Sequence, residues 1–246
     1  MEQLLDESLR ATALLTLPFL SAFLIFNLCR ITLASRITAS KLAKNSYSII
    51  GLIGIPLHEL SHAAFALLFG HKIKSVKWYS ISGDAYVHHS YNKNSKYQRL
   101  GNLFIAIAPF FTAMFIANYL LKGHIPDFIS LDSNQQSLIQ SVLSTIEVVP
   151  TLIGKLVLES AWYESLLLVT VSFYCIPSNA DFRNAFDGLI FALPAILSVV
   201  PACILAFPSI TMFLSTSLIL GGMCVVFSLI GWAFFFLLSF IPISNQ

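Results

Sequence analysis

Charge is the first thing this chain is short of. Only 11% of its residues are Asp, Glu, Lys or Arg, where soluble domains carry about 25%. With 57% hydrophobic residues and a mean hydropathy of +0.79, that deficit excludes an ordinary soluble domain and points to lipid as the solvent. Neither sign is in excess: 14 basic against 12 acidic side chains leave a formal net charge of +2. No basic run of the nucleic-acid-binding kind occurs, so no nucleic-acid partner is expected. Cysteine is sparse as well. Cys29, Cys175, Cys203 and Cys224 are scattered in apolar segments without C-x-x-C spacing and read as small apolar packers. The chain also lacks an internal repeat, a low-complexity tract and a separable polar domain. Its opening residues, MEQLLDESLR, are acidic ahead of an apolar run, which argues against a cleavable secretory signal and makes residues 11–29 an expected retained span.

Long apolar runs are what the chain has instead. A helix needs about 20 apolar residues to cross the hydrocarbon core. Five or six stretches qualify: 11–29, 48–70, 101–122, 161–177, 184–207 and 209–241. The fourth is short. The last is long for one upright helix, and its Gly221-Gly222 pair suits a bend, a close helix contact or a tight turn. Two connections differ from the rest. Residues 30–47 are basic, amphipathic and free of acids, which suggests a cytoplasmic or interfacial loop. Residues 71–97 are rich in Ser, Tyr, Val and Ile and are punctuated by Ser-Gly-Asp at 82–84, as a β-hairpin would be. Both are basic, so they vote against each other on the orientation of the span between them. Residues 123–160 are more polar and turn amphipathic around 138–158, fitting an interfacial helix or a loop. The expected fold is therefore an all-α polytopic membrane protein. It is one domain over 1–246, a bundle of about six transmembrane helices with a small membrane-associated β-hairpin after the second.

Inside the second apolar run stands HELSH. His58, Glu59 and His62 form an H-E-x-x-H motif, and with six His and six Glu in the chain roughly 0.004 such matches arise by chance. Positions i and i+4 share one helix face, so both imidazoles can reach one ion. Catalytic zinc takes three protein ligands and keeps a fourth position for water, and Glu59 is placed to accept that water's proton. Packed structural histidines are the competing reading. It is weakened because ionisable groups in apolar spans are rare and usually functional. Pro56, just before the motif, either loosens the helix or starts it. A third ligand is required. A metzincin would have histidine at position 68, where Leu68 stands, and no glutamate follows within 30 residues as a thermolysin-like architecture would need. The stretch 175–194 offers Asp181 and Asp187 at the entrance to another apolar run.

An H-E-x-x-H in an early span, a basic hairpin after it and a later Asp at a helix start together resemble the site-2 protease family of intramembrane zinc metallopeptidases. HELSHAAFALLFGHKIKSV, residues 58–76, is similar to that family's motif helix running into its hairpin, with Ser61 in place of the usual Gly. The resemblance covers a protease-like core of about residues 48–195. It implies a Zn2+ cofactor and a membrane-protein or transmembrane-peptide substrate, met within the lipid bilayer. It also implies a third ligand from a later Asp-Gly motif, which nominates Asp187, or from a Ser-x-x-Asp helix start, which nominates Asp181. Asp187-Gly188 keeps the Asp-Gly pair with Asn179 eight residues upstream, but the intervening prolines are missing. Each aspartate has a plain alternative. Ser178 to Asp181 is also a helix cap worth about 1 kcal/mol, and Asp187 can pair with Arg183 at i, i+4. Asp181 is put first because it lies nearer the helix start, with Asn184 placed to orient it. Asn179 and Asn184 are candidates to hold substrate or oxyanion. His71, His88, His89 and His124 are assigned surface or interfacial roles.

The expected function is an intramembrane zinc metalloendopeptidase with Glu59 as general base. The alternatives are an ion- or proton-relaying transporter and a catalytically inactive scaffold. A transporter would carry polar residues on several facing helices, whereas the later spans hold little but Ser, Thr and Pro. A multi-pass protein of a bacterial cell inner membrane is the expected setting, and no oligomeric state follows from the sequence.

Overall fold

The computed structural model describes residues 2–81, 85–121, 138–207 and 210–241. In chain order its elements are α1 (Glu2–Thr32), α2 (Ala34–Ala39), α3 (Lys41–Leu68), β1 (Lys72–Lys77) and β2 (Tyr86–Ser90), followed by α4 (Lys96–Leu120), α5 (Leu138–Glu159), α6 (Trp162–Tyr174), α7 (Asn179–Ala206) and α8 (Ile210–Leu238). The chain is mostly helical, with one small antiparallel sheet, as its apolar runs imply. The six expected crossings are not all shown. Among the described residues four helical stretches are long and apolar enough to cross a membrane: Thr16–Ala39, Lys41–Leu68, Lys96–Leu120 and Phe213–Leu238. The 161–177 candidate is the 13-residue α6, which rises only about 20 Å against a hydrocarbon core of about 30 Å. The 184–207 candidate sits within α7, whose first turns carry Asp181, Arg183 and Asp187.

Local chemistry bears on three further points. Residues 30–47 are largely helical rather than a loop: they hold the end of α1, all of α2 and the start of α3, which Ser40 caps by accepting from the Ala43 N–H (3.3 Å). Pro56 consequently lies inside α3, not at its beginning. Gly221-Gly222 is not a turn. α8 continues through it, and a Cβ on Gly221 would stand 2.5 Å from the Pro18 side chain of α1, so the glycine permits a close helix contact. The amphipathic part of 123–160 is the helix α5, and residues 123–137 lie outside the described residues, as do 82–84, where the hairpin turn is expected.

α3 is built inside out. Its large apolar side chains Ile49, Leu52, Ile53, Leu60 and Leu67 are each more than half exposed, while Gly51, Gly54, Glu59, Ser61 and His62 are buried. Water would reverse that pattern. An apolar solvent outside and small or ionisable residues at helix contacts produce it. Behind α3 the main core joins Phe110 and Met114 of α4, Leu152 of α5, Leu168 of α6 and Met223 and Phe227 of α8. α7 packs along α4, where Gly188 lets the backbones meet, since a Cβ there would strike the Leu103 main chain.

The hairpin is delivered by a helix stop. Gly70 adopts φ +71°, open to glycine but costly for other residues, while the His71 N–H bonds to the Ala66 carbonyl (2.8 Å) and the Gly70 N–H to that of Leu67 (3.0 Å). This is a Schellman closure, and it turns the chain from α3 straight into β1. β1 and β2 then pair antiparallel, with Ile73 opposite His89, Val76 opposite Val87 and an irregularity between Ile73 and Ser75.

Candidate metal centre

Three side chains from two distant helices converge. His62 Nε2 lies 3.0 Å from His58 Nε2 and 3.2 Å from Asp181 Oδ1, and His58 Nε2 lies 3.6 Å from Asp181 Oδ2. All three side chains are nearly buried, at 9–12% exposure. The tautomers follow from what lies behind the rings. His58 Nδ1 is 2.9 Å from the Tyr174 carbonyl and His62 Nδ1 is 2.7 Å from the Ile105 carbonyl. A carbonyl cannot donate, so both Nδ1 atoms carry a proton, and in the neutral rings both Nε2 atoms present lone pairs.

Helix geometry makes both carbonyls available. Tyr174 is the last residue of α6, where carbonyls lack an intrahelical donor. Ile105 lies four residues before Pro109, inside α4, and proline has no N–H to offer it. Each imidazole thus takes an acceptor that its neighbouring helix leaves free. The approach of α6 depends on glycine: a Cβ on Gly54 would stand 2.5–2.8 Å from Tyr174 side-chain atoms. Gly54→Val is therefore expected to destabilise the fold by about 1–3 kcal/mol and to weaken metal binding roughly 10–100-fold through the displaced Tyr174 carbonyl. Gly154→Ala, with nothing within 4 Å of its new methyl, should do neither. Thermal unfolding and metal titration in mild detergent check both.

The donor set fits a metal ion. Two neutral imidazole lone pairs and a carboxylate face one another, an arrangement that repels itself unless positive charge lies between. A tetrahedral site with bonds of about 2.0–2.1 Å has edges of roughly 3.3 Å, and the observed separations of 3.0, 3.2 and 3.6 Å bracket that value. Among the described residues His58, His62 and Asp181 form the one such group, with ligand atoms within 4.8 Å of one another.

Asp181 does two jobs at once. Its Oδ2 accepts from the Ser178 N–H (2.6 Å) while Ser178 Oγ accepts from the Asp181 N–H (3.3 Å), a reciprocal box that starts α7. Helix cap and ligand are thus not rival readings of this residue. Ser178 orients the carboxylate, and no hydrogen bond joins it to Asn184 among the described residues, contrary to expectation. Asp187, six residues on, stays outside the group, exposed beside a smaller recess of about 270 Å³. Asn184 lines both that recess and the main cleft, whereas Asn179 is exposed at the helix start and lines neither.

The main cleft has a volume of about 680 Å³ and is lined by His58, Glu59, His62 and Asp181, by β2, and by an apolar wall including Phe26, Leu33, Ile37 and Phe173. Glu59 is 8% exposed, and among the described residues its carboxylate makes no hydrogen bond or ion pair. Two histidines assigned to the surface are elsewhere. His71 is 3% exposed, and His89 is half-buried and lines the cleft. His88 is exposed, as expected, and His124 lies outside the described residues. No family model, curated protein or solved structure matches this chain.

Proposed function

We propose that the chain is a multi-pass membrane zinc endopeptidase that hydrolyses peptide bonds of membrane-embedded polypeptides. One observation carries this reading: two tautomer-fixed imidazoles and a buried carboxylate aim their lone pairs at one point, beside an unpaired glutamate in an open cleft. Zinc suits two imidazoles and a carboxylate, and when bound it supplies Lewis acidity and lowers the pKa of water to about 7. The protein's own residues do the rest. His58 and His62 are held in the binding tautomer by the Tyr174 and Ile105 carbonyls. Glu59 takes a proton from water as the new C–O bond forms, then returns it to the amine nitrogen as the C–N bond breaks. A substrate helix hides its carbonyls in its own hydrogen bonds, so it enters the cleft unwound. We read the apolar 188–206 portion of α7 as a fifth crossing, which carries the Asp181 end to the same level of the bundle as the H-E-x-x-H turn.

Elemental analysis of protein purified in mild detergent is expected to give one zinc per chain. Chelation should abolish cleavage of a co-expressed single-span substrate, and added zinc should restore it. Folded protein that binds no divalent ion, or that cleaves equally well without one, rules the reading out.

A further inference from the structure

A second histidine pair sits at the root of the hairpin, and its protons can be placed. His71 Nε2 lies 2.8 Å from the Gln98 carbonyl, so that nitrogen carries the proton and donates. Its Nδ1 is left with a lone pair. His89 Nδ1 stands 2.9 Å away and must supply the proton of that contact. The chain of bonds ends with His89 as the Nδ1–H tautomer, its Nε2 bare. Among the described residues nothing else bonds to that ring, which lines both the metal-site cleft and the adjoining recess.

The corner behind the pair is tied by several contacts. The Schellman turn fixes His71 directly after α3, and Tyr91 stacks on its ring at 5.1 Å. Gln98 ties the same corner from α4, its side chain donating to the Gly70 carbonyl (2.8 Å) and accepting from the Asn92 N–H (2.6 Å). Burial first, then the neighbouring His71, push the His89 pKa down to about 4, and burial lowers that of His71 too, so both rings stay neutral near pH 7.

We propose that His89 is a substrate-positioning residue: a neutral hydrogen-bond acceptor, fixed in tautomer by His71, that receives a backbone N–H of the unwound polypeptide in the cleft. This rests on the proteolytic reading above. An unwound segment arrives with unpaired N–H groups in apolar surroundings, where each missing partner is costly. A fixed acceptor beside the reacting groups offsets that cost and selects extended chain over helix, whose N–H groups are already engaged.

The test uses full-length protein in detergent with the Glu59→Gln change, so that bound peptide is not consumed. The probe is a fluorescent transmembrane peptide of about 20 residues with a central Gly-Pro break. Adding His89→Leu should weaken peptide binding about tenfold, the worth of one well-placed hydrogen bond, with metal content and thermal midpoint retained. His89→Gln, which keeps an oxygen acceptor near the Nε2 position, should recover most of the loss. Independently of any variant's folding, histidine ¹⁵N shifts in the wild-type protein should show His89 protonated at Nδ1 and bare at Nε2. Unchanged affinity in His89→Leu, or a proton on Nε2, overturns the proposal. If Glu59→Gln alone binds metal but no peptide, the proteolytic reading falls and takes this role with it. Binding that ignores position 89 removes only the role of His89.

Discussion

Glu59→Gln is expected to lower peptide-bond cleavage roughly 10²–10⁴-fold while the protein still binds its metal. The side chain keeps its size and an oxygen, so the packing of a residue only 8% exposed is preserved. What disappears is the ability to accept a proton from water and hand it to the departing amine. Glu59 makes no bond to His58, His62 or Asp181 among the described residues, so the ligand group should hold its ion as before. Steady-state cleavage of a single-span substrate, with zinc measured on the same sample, checks both halves. A variant that cleaves within threefold of the parent removes Glu59 from the chemistry.

Asp181→Asn should cost the metal itself. Asparagine still offers an oxygen to the Ser178 N–H, so most of the cap on α7 survives. The carboxylate charge that offsets the ion is gone. Metal affinity should fall at least about a hundredfold, beyond the 10–100-fold typical of changes outside the ligand set, and cleavage should fall with it. Asp187→Asn, made beside it, should keep both, because Asp187 faces the smaller recess. Metal loss in Asp187→Asn with retention in Asp181→Asn would reverse the assignment of the third ligand. Asparagine is a sharper choice than alanine here, since alanine would also remove the cap and confuse a loosened helix with an empty site.

Much of this arrangement is legible in the sequence, for identifiable reasons. H-E-x-x-H needs only helical periodicity to put His58 and His62 on one face, and alternating polar and β-branched residues are enough to suggest the hairpin. Asp181 is half legible. Ser-x-x-Asp is a local pattern with a local meaning, and nothing in the sequence says that the capping carboxylate also turns its other oxygen towards a distant helix. Pro109 is in plain view, yet its consequence depends on His62 facing α4, a tertiary fact. The His71–His89 pair is less legible still. Gly70 announces a helix stop, but which strand residue meets His71 depends on register and on an irregularity between Ile73 and Ser75. The short fourth apolar run has a simpler explanation. Apolar length alone does not reveal that residues 161–177 form only three and a half turns.

The ligand group draws on four helices: α3 supplies both imidazoles, α4 and α6 their carbonyl rests, and α7 the carboxylate. No pair of these segments contains the whole arrangement, and the ends that meet are up to 123 positions apart between His58 and Asp181. An ion bound there would therefore be a gauge of assembly, because a half-built bundle offers it no seat. If the site holds zinc as proposed, loading would wait until α3, α4, α6 and α7 have docked, and a fragment lacking any one of them would stay empty.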